Sequence, residues 1–115
     1  MTQWALQEFK ADPFGAIANP VRIRILEAIR VADDPSVSEI QQAVGIASAN
    51  ASQHLAVLRA RGVVRAVRAG QTMRYSVVDS RIYDLLDIAR NIFEQRLASQ
   101  QDALRAGDDA LALSS

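Results

Sequence analysis

The stretch SVSEIQQAVGIASANASQHLAVLRARG, from Ser36 to Gly62, contains two amphipathic segments separated by a break at Gly45. The first opens with Ser36-Val37-Ser38-Glu39, the capping-box pattern in which a serine and a glutamate three residues later satisfy free N–H groups at a helix N-terminus. The second begins near Ser48 and places three apolar residues at the i, i+4, i+7 spacing of one helix face, namely Ala51, Leu55 and Leu58. Two helices of about 9 and 14 residues joined by a glycine-containing turn are typical of a helix-turn-helix.

Helices are also predicted before this stretch. Asn19-Pro20 predicts a helix start, because Asn caps well and Pro at the first helical position sacrifices no needed N–H. That helix is expected to end at Asp33-Asp34-Pro35. A further helix is expected over Thr2 to Lys10, ending at Ala11-Asp12-Pro13.

A β-hairpin and a long helix are predicted after this stretch. Val63 to Val67 and Met73 to Val78 have the composition of two strands, and Ala69-Gly70-Gln71 forms the turn between them. A basic hairpin that directly follows a helix-turn-helix is a wing. The last helix starts at Asp79-Ser80. From Gln101 onward, the Asp-, Ala-, Gly- and Ser-rich sequence predicts a frayed tail.

The expected fold is therefore mainly α with a small β-hairpin wing, in the order α1-α2-α3-α4-β-β-α5. Residues 1–100 are expected to form one winged helix-turn-helix domain, and residues 101–115 are expected to form the tail. A chain of 115 residues that is 50% hydrophobic fits a single domain with a thin core.

Composition excludes several chemistries. The chain has no Cys and one His, which leaves no disulfide framework, thiol nucleophile or thiolate metal site. Neither a Gly-rich phosphate loop nor a nucleophilic Ser elbow occurs, so an enzyme is not expected. No cofactor is expected. Neither a signal-peptide pattern nor an apolar run long enough to span a membrane is present, so we expect a cytoplasmic protein without a membrane partner.

The charge is distributed unevenly along a chain whose formal net charge is zero. Ile40 to Val78 contains no Asp or Glu but five arginines, whereas the rest of the chain carries all 13 acidic residues. A basic stretch in a neutral protein indicates a polyanion partner, here double-stranded DNA.

The recognition helix, the second of the helix-turn-helix pair, carries the candidate base contacts. A helix in the major groove contacts bases mainly from its N-terminal half. The Gln53 amide suits adenine, and Asn50 is a less favourable second candidate. Ser48 either caps the helix or contacts a phosphate. His54 either hydrogen-bonds inside the domain or lies beside the DNA backbone. The residues predicted to contact DNA, from this helix, its leading end and the wing, are Ser48, Ala49, Asn50, Ser52, Gln53, His54, Arg65, Arg68, Gln71, Thr72 and Arg74.

The last helix carries an apolar stripe that is too long and too wide for one small core to cover. A homodimer is the expected way to bury it. The predicted interface combines this stripe with two aromatic residues of the first helix, and comprises Trp4, Phe9, Ile82, Leu86, Ala89, Phe93 and Leu97.

Three segments in this order resemble the ArsR-type (ArsR/SmtB) winged helix-turn-helix repressors. Asn19 to Leu26 resembles their second-helix signature, Ser52 to Val64 their recognition-helix signature, and Gly70 to Tyr75 their wing. The resemblance implies a bacterial or archaeal homodimer that represses transcription, pairs through its first and last helices and is released by an inducer. It also adds Arg22 to the predicted DNA contacts.

The chain departs from the family's metal-sensing patterns. The third-helix stretch Ser38 to Gln41 lacks Cys, and the last helix lacks His, so the resemblance is to a Cys-free member. Any inducer is therefore expected to be an unknown small molecule and not a Cys-ligated metal. The last helix carries three carboxylates, Asp84, Asp87 and Glu94, which are expected to be solvated, with Asp84–Arg81 and Asp87–Arg90 pairings; a weak oxygen-ligand metal site is the alternative.

The sequence thus predicts a sequence-specific transcriptional regulator, a dimeric repressor that binds an inverted-repeat operator. Two alternatives remain. One is a protein-interaction module that kept a winged-helix scaffold. The other is a multiple-resistance-type winged-helix regulator, which normally needs a longer dimerisation region after the wing.

Overall fold

The computed structural model describes the backbone of residues 13–114 and the side chains of residues 13–108. The predicted first helix, Thr2 to Lys10, lies outside the described residues. The chain divides into one unit that ends at Ile82 and another that begins at Tyr83. In chain order the elements are α1 (residues 13–17), α2 (Pro20–Ala32), α3 (Val37–Val44), α4 (Ser48–Ala60), β1 (Val64–Ala69), β2 (Thr72–Val77) and α5 (Arg81–Ser114).

The second helix begins as the sequence predicts. The Asn19 side chain accepts hydrogen bonds from the backbone N–H groups of Val21 at 2.9 Å and Arg22 at 3.1 Å, and Pro20 occupies the first helical position. Asp33 and Asp34, with φ of 56° and 52°, take the chain out of the helix. Both boundaries of α2 are confirmed.

The helix-turn-helix of α3 and α4 is also confirmed. Ser36 Oγ accepts a hydrogen bond from the backbone N–H of Glu39 at 3.2 Å, which caps α3. Gly45 ends α3 in the left-handed region, at φ 77°, where a side chain would strain the backbone. Its N–H donates to the Gln41 carbonyl oxygen at 2.9 Å. The turn then leads into α4 after only two further residues.

The core of the first unit lies where α2, α3 and α4 pack together, and the hairpin contacts all three helices. The apolar face predicted for α4 is buried, with Ala51, Leu55 and Leu58 each at most 1% exposed. Burial of each large apolar side chain contributes about 1.5–3 kcal/mol. This burial fixes the rotation of α4 about its own axis, so its opposite face is held toward solvent.

The wing, formed by β1, β2 and the turn between them, is an antiparallel hairpin. Its pairs run from Val64 with Val77 to Ala69 with Thr72, which leaves the two-residue turn Gly70-Gln71. Gly70 has φ 67°, the left-handed value that two-residue hairpin turns need at their first position. The strands differ from the predicted ranges by one or two residues, because backbone pairing continues to the tip of the hairpin.

The last helix is longer than predicted. The Asp79 carboxylate accepts a hydrogen bond from the backbone N–H of Arg81 at 2.9 Å at its start. The helix then continues through residues 101–114, where the sequence predicted a frayed tail. This segment contains four Ala and three Leu, which favour helix, and its one interior Gly costs only about 1 kcal/mol.

Candidate nucleic-acid interface

The outward face of α4 is small, polar and uncharged over residues 49–56. It lies opposite the buried apolar face, and its exposed residues are Ala49, Asn50, Ser52, Gln53 and Ala56. Ser48 is the first residue of α4, while the capping position is Ala47, which makes no side-chain cap. The interpretation of Ser48 as the cap of the helix is therefore wrong, and its exposed hydroxyl is at the leading end of the helix. A face of this kind can approach the floor of a groove and hydrogen-bond there.

His54 and Arg22, both predicted DNA contacts, lie together. Arg22 Nε donates a hydrogen bond to His54 Nδ1 at 3.2 Å, and Arg22 Nη1 donates to the Ala16 carbonyl oxygen at 3.2 Å. Both side chains are half-buried. The internal hydrogen bond considered for His54 is therefore present, and its partner is an arginine of α2.

The three wing arginines do not share one face. Side chains alternate along a strand, so Arg65 and Val67 lie on one face of the hairpin. Arg74 lies on that face too, because it is paired with Val67 across the strands. Arg68 is paired with Met73 and lies on the other face. Gln71 and Thr72 lie exposed at the tip. The wing therefore presents cations on both of its sides.

Arg74 is engaged by acceptors of the protein at the surface of the domain. Its Nη1 lies 3.3 Å from Glu39 Oε1, in an ion pair, and 3.2 Å from the Asp34 carbonyl oxygen. The backbone N–H of Tyr75 also donates to the Pro35 carbonyl oxygen at 3.0 Å. These bonds tie β2 to the segment that leads into α3. Arg74 thus positions the wing and neutralises Glu39, the acidic residue that directly precedes the acid-free segment.

The other two wing arginines differ in how they are held. Arg65 Nη2 donates to the Val78 carbonyl oxygen at 3.1 Å, which orients its guanidinium without cancelling its charge. Arg68 is exposed and makes no hydrogen bond or ion pair with any residue in the described part of the chain. Arg68 is therefore the wing cation most available to a phosphate.

A groove runs between α4 and β2. Its volume is about 440 Å³, and it is lined by Ser52, Leu55, Ala56, Arg59, Ala60 and Tyr75. Sequence reasoning missed Arg59 and Tyr75 as members of this surface. Ser52, Ala56 and Arg59 have the i, i+4, i+7 spacing of one face, and this signal could have placed Arg59 beside Ser52.

The carboxylates of α5 do not form a metal centre in the described part of the chain. No group of three or more His, Asp or Glu side chains there is arranged to hold a metal ion. Arg81, the expected partner of Asp84, pairs instead with Asp79 at 2.6 Å, because Asp79 lies two residues before it at the start of the helix. The side chain and the backbone N–H of Arg81 both donate hydrogen bonds to the Asp79 carboxylate, and they lower the pKa of this carboxyl from an ordinary 3.8 to about 2.

The second candidate surface is the apolar stripe on α5. Phe93 is 66% exposed and Leu97 is 43% exposed, whereas Leu86 is buried already in the single chain. Ala89 is exposed and Ile82 is half-buried. Leu104, seven residues after Leu97, continues the stripe and is 70% exposed. Trp4 and Phe9, the other predicted interface residues, lie outside the described residues.

A helix-turn-helix followed directly by a basic hairpin defines the winged helix-turn-helix class of DNA-binding proteins. A helix-turn-helix domain family matches residues 17–67. The HTH-type transcriptional regulator Rv0081 of Mycobacterium tuberculosis is 44% identical over 110 residues, which cover 91% of this chain and 95% of the relative. The chain belongs to the HTH-type transcriptional regulators, and its fold is that of the ArsR family. The predicted winged helix-turn-helix class and the predicted role of a DNA-binding transcriptional regulator are confirmed.

Solved structures and a second relative agree with this assignment. The crystal structure of Rv0081 superposes with a TM-score of 0.72 over 83% of this chain and 95% of the other. The homodimeric winged helix-turn-helix domain of Mb0332 from Mycobacterium bovis, described as a possible ArsR-family regulator, gives 0.75 at 25% identity, covering 84% of this chain and 91% of the other. A probable mercury resistance operon repressor of Streptomyces lividans is 39% identical over 67% of this chain and 61% of its own length. No helix among the described residues has the length and apolarity to cross a membrane.

Proposed function

We propose that this regulator is a dimeric repressor, acting in the bacterial cytoplasm on an inverted-repeat operator, with α4 in the major groove and the wing on the adjacent backbone. One observation carries the proposal. The exposed face of α4 and the wing that follows it contain no carboxylate, and Arg74 neutralises Glu39 at their border. Such a surface attracts a polyanion and has no repulsive group at its centre.

Gln53 supplies the main sequence readout. Its amide can donate and accept at once, which matches the adenine edge in the major groove. It is exposed, and its small neighbours Ala49 and Ala56 leave room for the approach of a base pair. Phosphate contacts from Arg65, Arg68 and the rim of the groove set the register of the helix on the duplex.

Dimerisation brings two copies of this DNA-binding surface together. The exposed stripe of Phe93, Leu97 and Leu104 supports pairing through α5, and the homodimeric state of Mb0332 is in line with it. A two-fold axis imposes an inverted repeat whose half-site centres are about 34–36 Å apart. The chain has no cysteine, so the signal that releases it is not a thiolate-bound metal.

Selection of bound duplexes from a random library tests this proposal. An inverted repeat should emerge, and wild type and Gln53→Ala should then be titrated against the repeat and a scrambled duplex at one salt concentration. Gln53→Ala should lose about 1–3 kcal/mol on the repeat and little on the scrambled duplex. Gln95→Ala, an exposed glutamine on α5, is the matched control and should change neither. Equal losses on both duplexes would assign Gln53 to the backbone, and a selection without a repeat would refute the dimeric readout.

A further inference from the structure

The single histidine of the chain is held in one orientation by an arginine of another helix. Arg22 Nε donates to His54 Nδ1 at 3.2 Å across 32 residues of sequence. The same guanidinium is fixed by its Nη1 bond to the Ala16 carbonyl oxygen. Ala16 is fully buried, and Arg22 and His54 are half-buried, so the arrangement is part of the folded domain.

This hydrogen bond decides where the imidazole carries its proton. Arginine stays charged in proteins and has donors only, so Nδ1 of His54 must be the acceptor. A neutral imidazole that accepts at Nδ1 is protonated at Nε2. His54 therefore presents an N–H donor at the end of the ring that points away from Arg22.

We propose that Arg22 is a positioning residue that fixes the Nε2–H form of His54, and that this N–H donates to a phosphate oxygen beside α4. The inference rests on the proposed function, since it places DNA along α4. It assigns different roles to two residues that the sequence grouped together, because His54 touches the phosphate and Arg22 acts through it.

The location of His54 supports the contact. It follows Gln53, the proposed base contact, and lies at the edge between the outward and buried faces of α4, where a helix in the major groove meets the backbone of the duplex. Two of the Arg22 N–H groups are already used inside the protein. A neutral donor also differs from a cation in how its contribution to DNA affinity depends on salt. A cation that neutralises a phosphate releases a counterion, whereas a neutral N–H donor does not.

The tautomer can be read directly in the free protein. Because the chain contains one histidine, long-range ¹H–¹⁵N correlation spectra at mildly alkaline pH show a single imidazole pattern. The wild type should show the pattern of protonation at Nε2, and Arg22→Gln should show a mixture of the two tautomers. A wild-type ring that is protonated at Nδ1, or unchanged by Arg22→Gln in a protein that circular dichroism shows to be folded, would overturn the assignment.

Two substitutions of His54 test the phosphate contact and remain informative if Arg22→Gln does not fold. An asparagine amide occupies the place of Nδ1, whereas a glutamine amide can reach the place of Nε2. His54→Asn should weaken operator binding about tenfold per protomer, and His54→Gln should retain most of the affinity. The dependence of affinity on salt should be the same in His54→Asn as in the wild type.

The alternatives predict other outcomes. If Arg22 itself bound the phosphate, Arg22→Gln would lower the salt dependence and both His54 variants would bind like the wild type. Equal losses in His54→Asn and His54→Gln would show that the ring is needed for packing and would overturn the contact. A wild type without affinity for any duplex would overturn the proposed function together with the contact, while the tautomer in the free protein would be judged separately by its spectrum.

Discussion

Arg68→Ala and Arg74→Ala should have different consequences, although both remove an arginine from the same hairpin. Arg68 is exposed and makes no contact with another charged group in the described part of the chain. Arg74 lies 3.3 Å from Glu39 in an ion pair whose side chains are 41% and 51% exposed. Removing Arg68 therefore deletes a free cation, whereas removing Arg74 deletes one that is already neutralised.

The magnitude follows from counterion release. Each phosphate neutralised by a cation contributes about −0.9 to the slope of log affinity against log salt concentration. A homodimer carries two copies, so Arg68→Ala should flatten the slope by about 1.8. Arg74→Ala should change the slope by less than half of that amount. It should instead destabilise the fold by about 0.2–1 kcal/mol, the usual range for a solvent-exposed ion pair.

Fluorescence anisotropy of a labelled operator duplex over a series of KCl concentrations measures both slopes, and urea unfolding measures stability. Arg68→Lys is the matched control, since it keeps the charge and should keep the slope. Glu39→Gln is a further test. It removes the charged partner of Arg74 and should therefore steepen the slope of log affinity against log salt concentration. Equal flattening by Arg68→Ala and Arg74→Ala, or an unchanged slope in Glu39→Gln, would show that the ion pair with Glu39 does not keep Arg74 from the phosphate backbone.

Three further predictions concern the dimer, the start of α5 and the inducer. Phe93→Asp should convert the dimer to monomer in light scattering at micromolar concentration, because it places a charge in an apolar contact; a wild type that is already monomeric would contradict it. The Asp79 pKa of about 2 against 3.8 means that its charge stabilises the folded state above pH 3.8, and that this contribution is lost as the pH falls toward 2. Urea midpoints of wild type and Asp79→Asn should therefore differ at neutral pH and converge as the pH falls toward 2, and a constant difference would argue against the charge. Zinc, cadmium and arsenite at micromolar concentration should leave operator affinity unchanged, since the chain has no Cys and one His; a chelator-reversible loss would instead implicate the α5 carboxylates.

The local elements of this fold were predictable from the sequence because short-range interactions determine them. Asn19, Ser36 and Gly45 act within three or four residues of their own positions, through caps and a left-handed backbone, and each boundary that they predict is present. The spacing of Ala51, Leu55 and Leu58 similarly determines which face of α4 is buried and which face is free. The outward face that carries Gln53 therefore follows from the sequence alone.

The partners of the charged side chains are determined by the tertiary structure. Arg74 meets Glu39 across 35 residues, and Arg22 meets His54 across 32, and neither spacing has a signal in a linear pattern. The sequence consequently grouped Arg65, Arg68 and Arg74 as equivalent cations, whereas strand alternation separates their faces and the ion pair with Glu39 neutralises one of them. Arg59 and Tyr75 share a groove only because β2 lies beside α4. Composition and periodicity determined that α4 and the wing carry arginines and no carboxylates. Only the packing between distant elements decided which of these cations remain available to DNA.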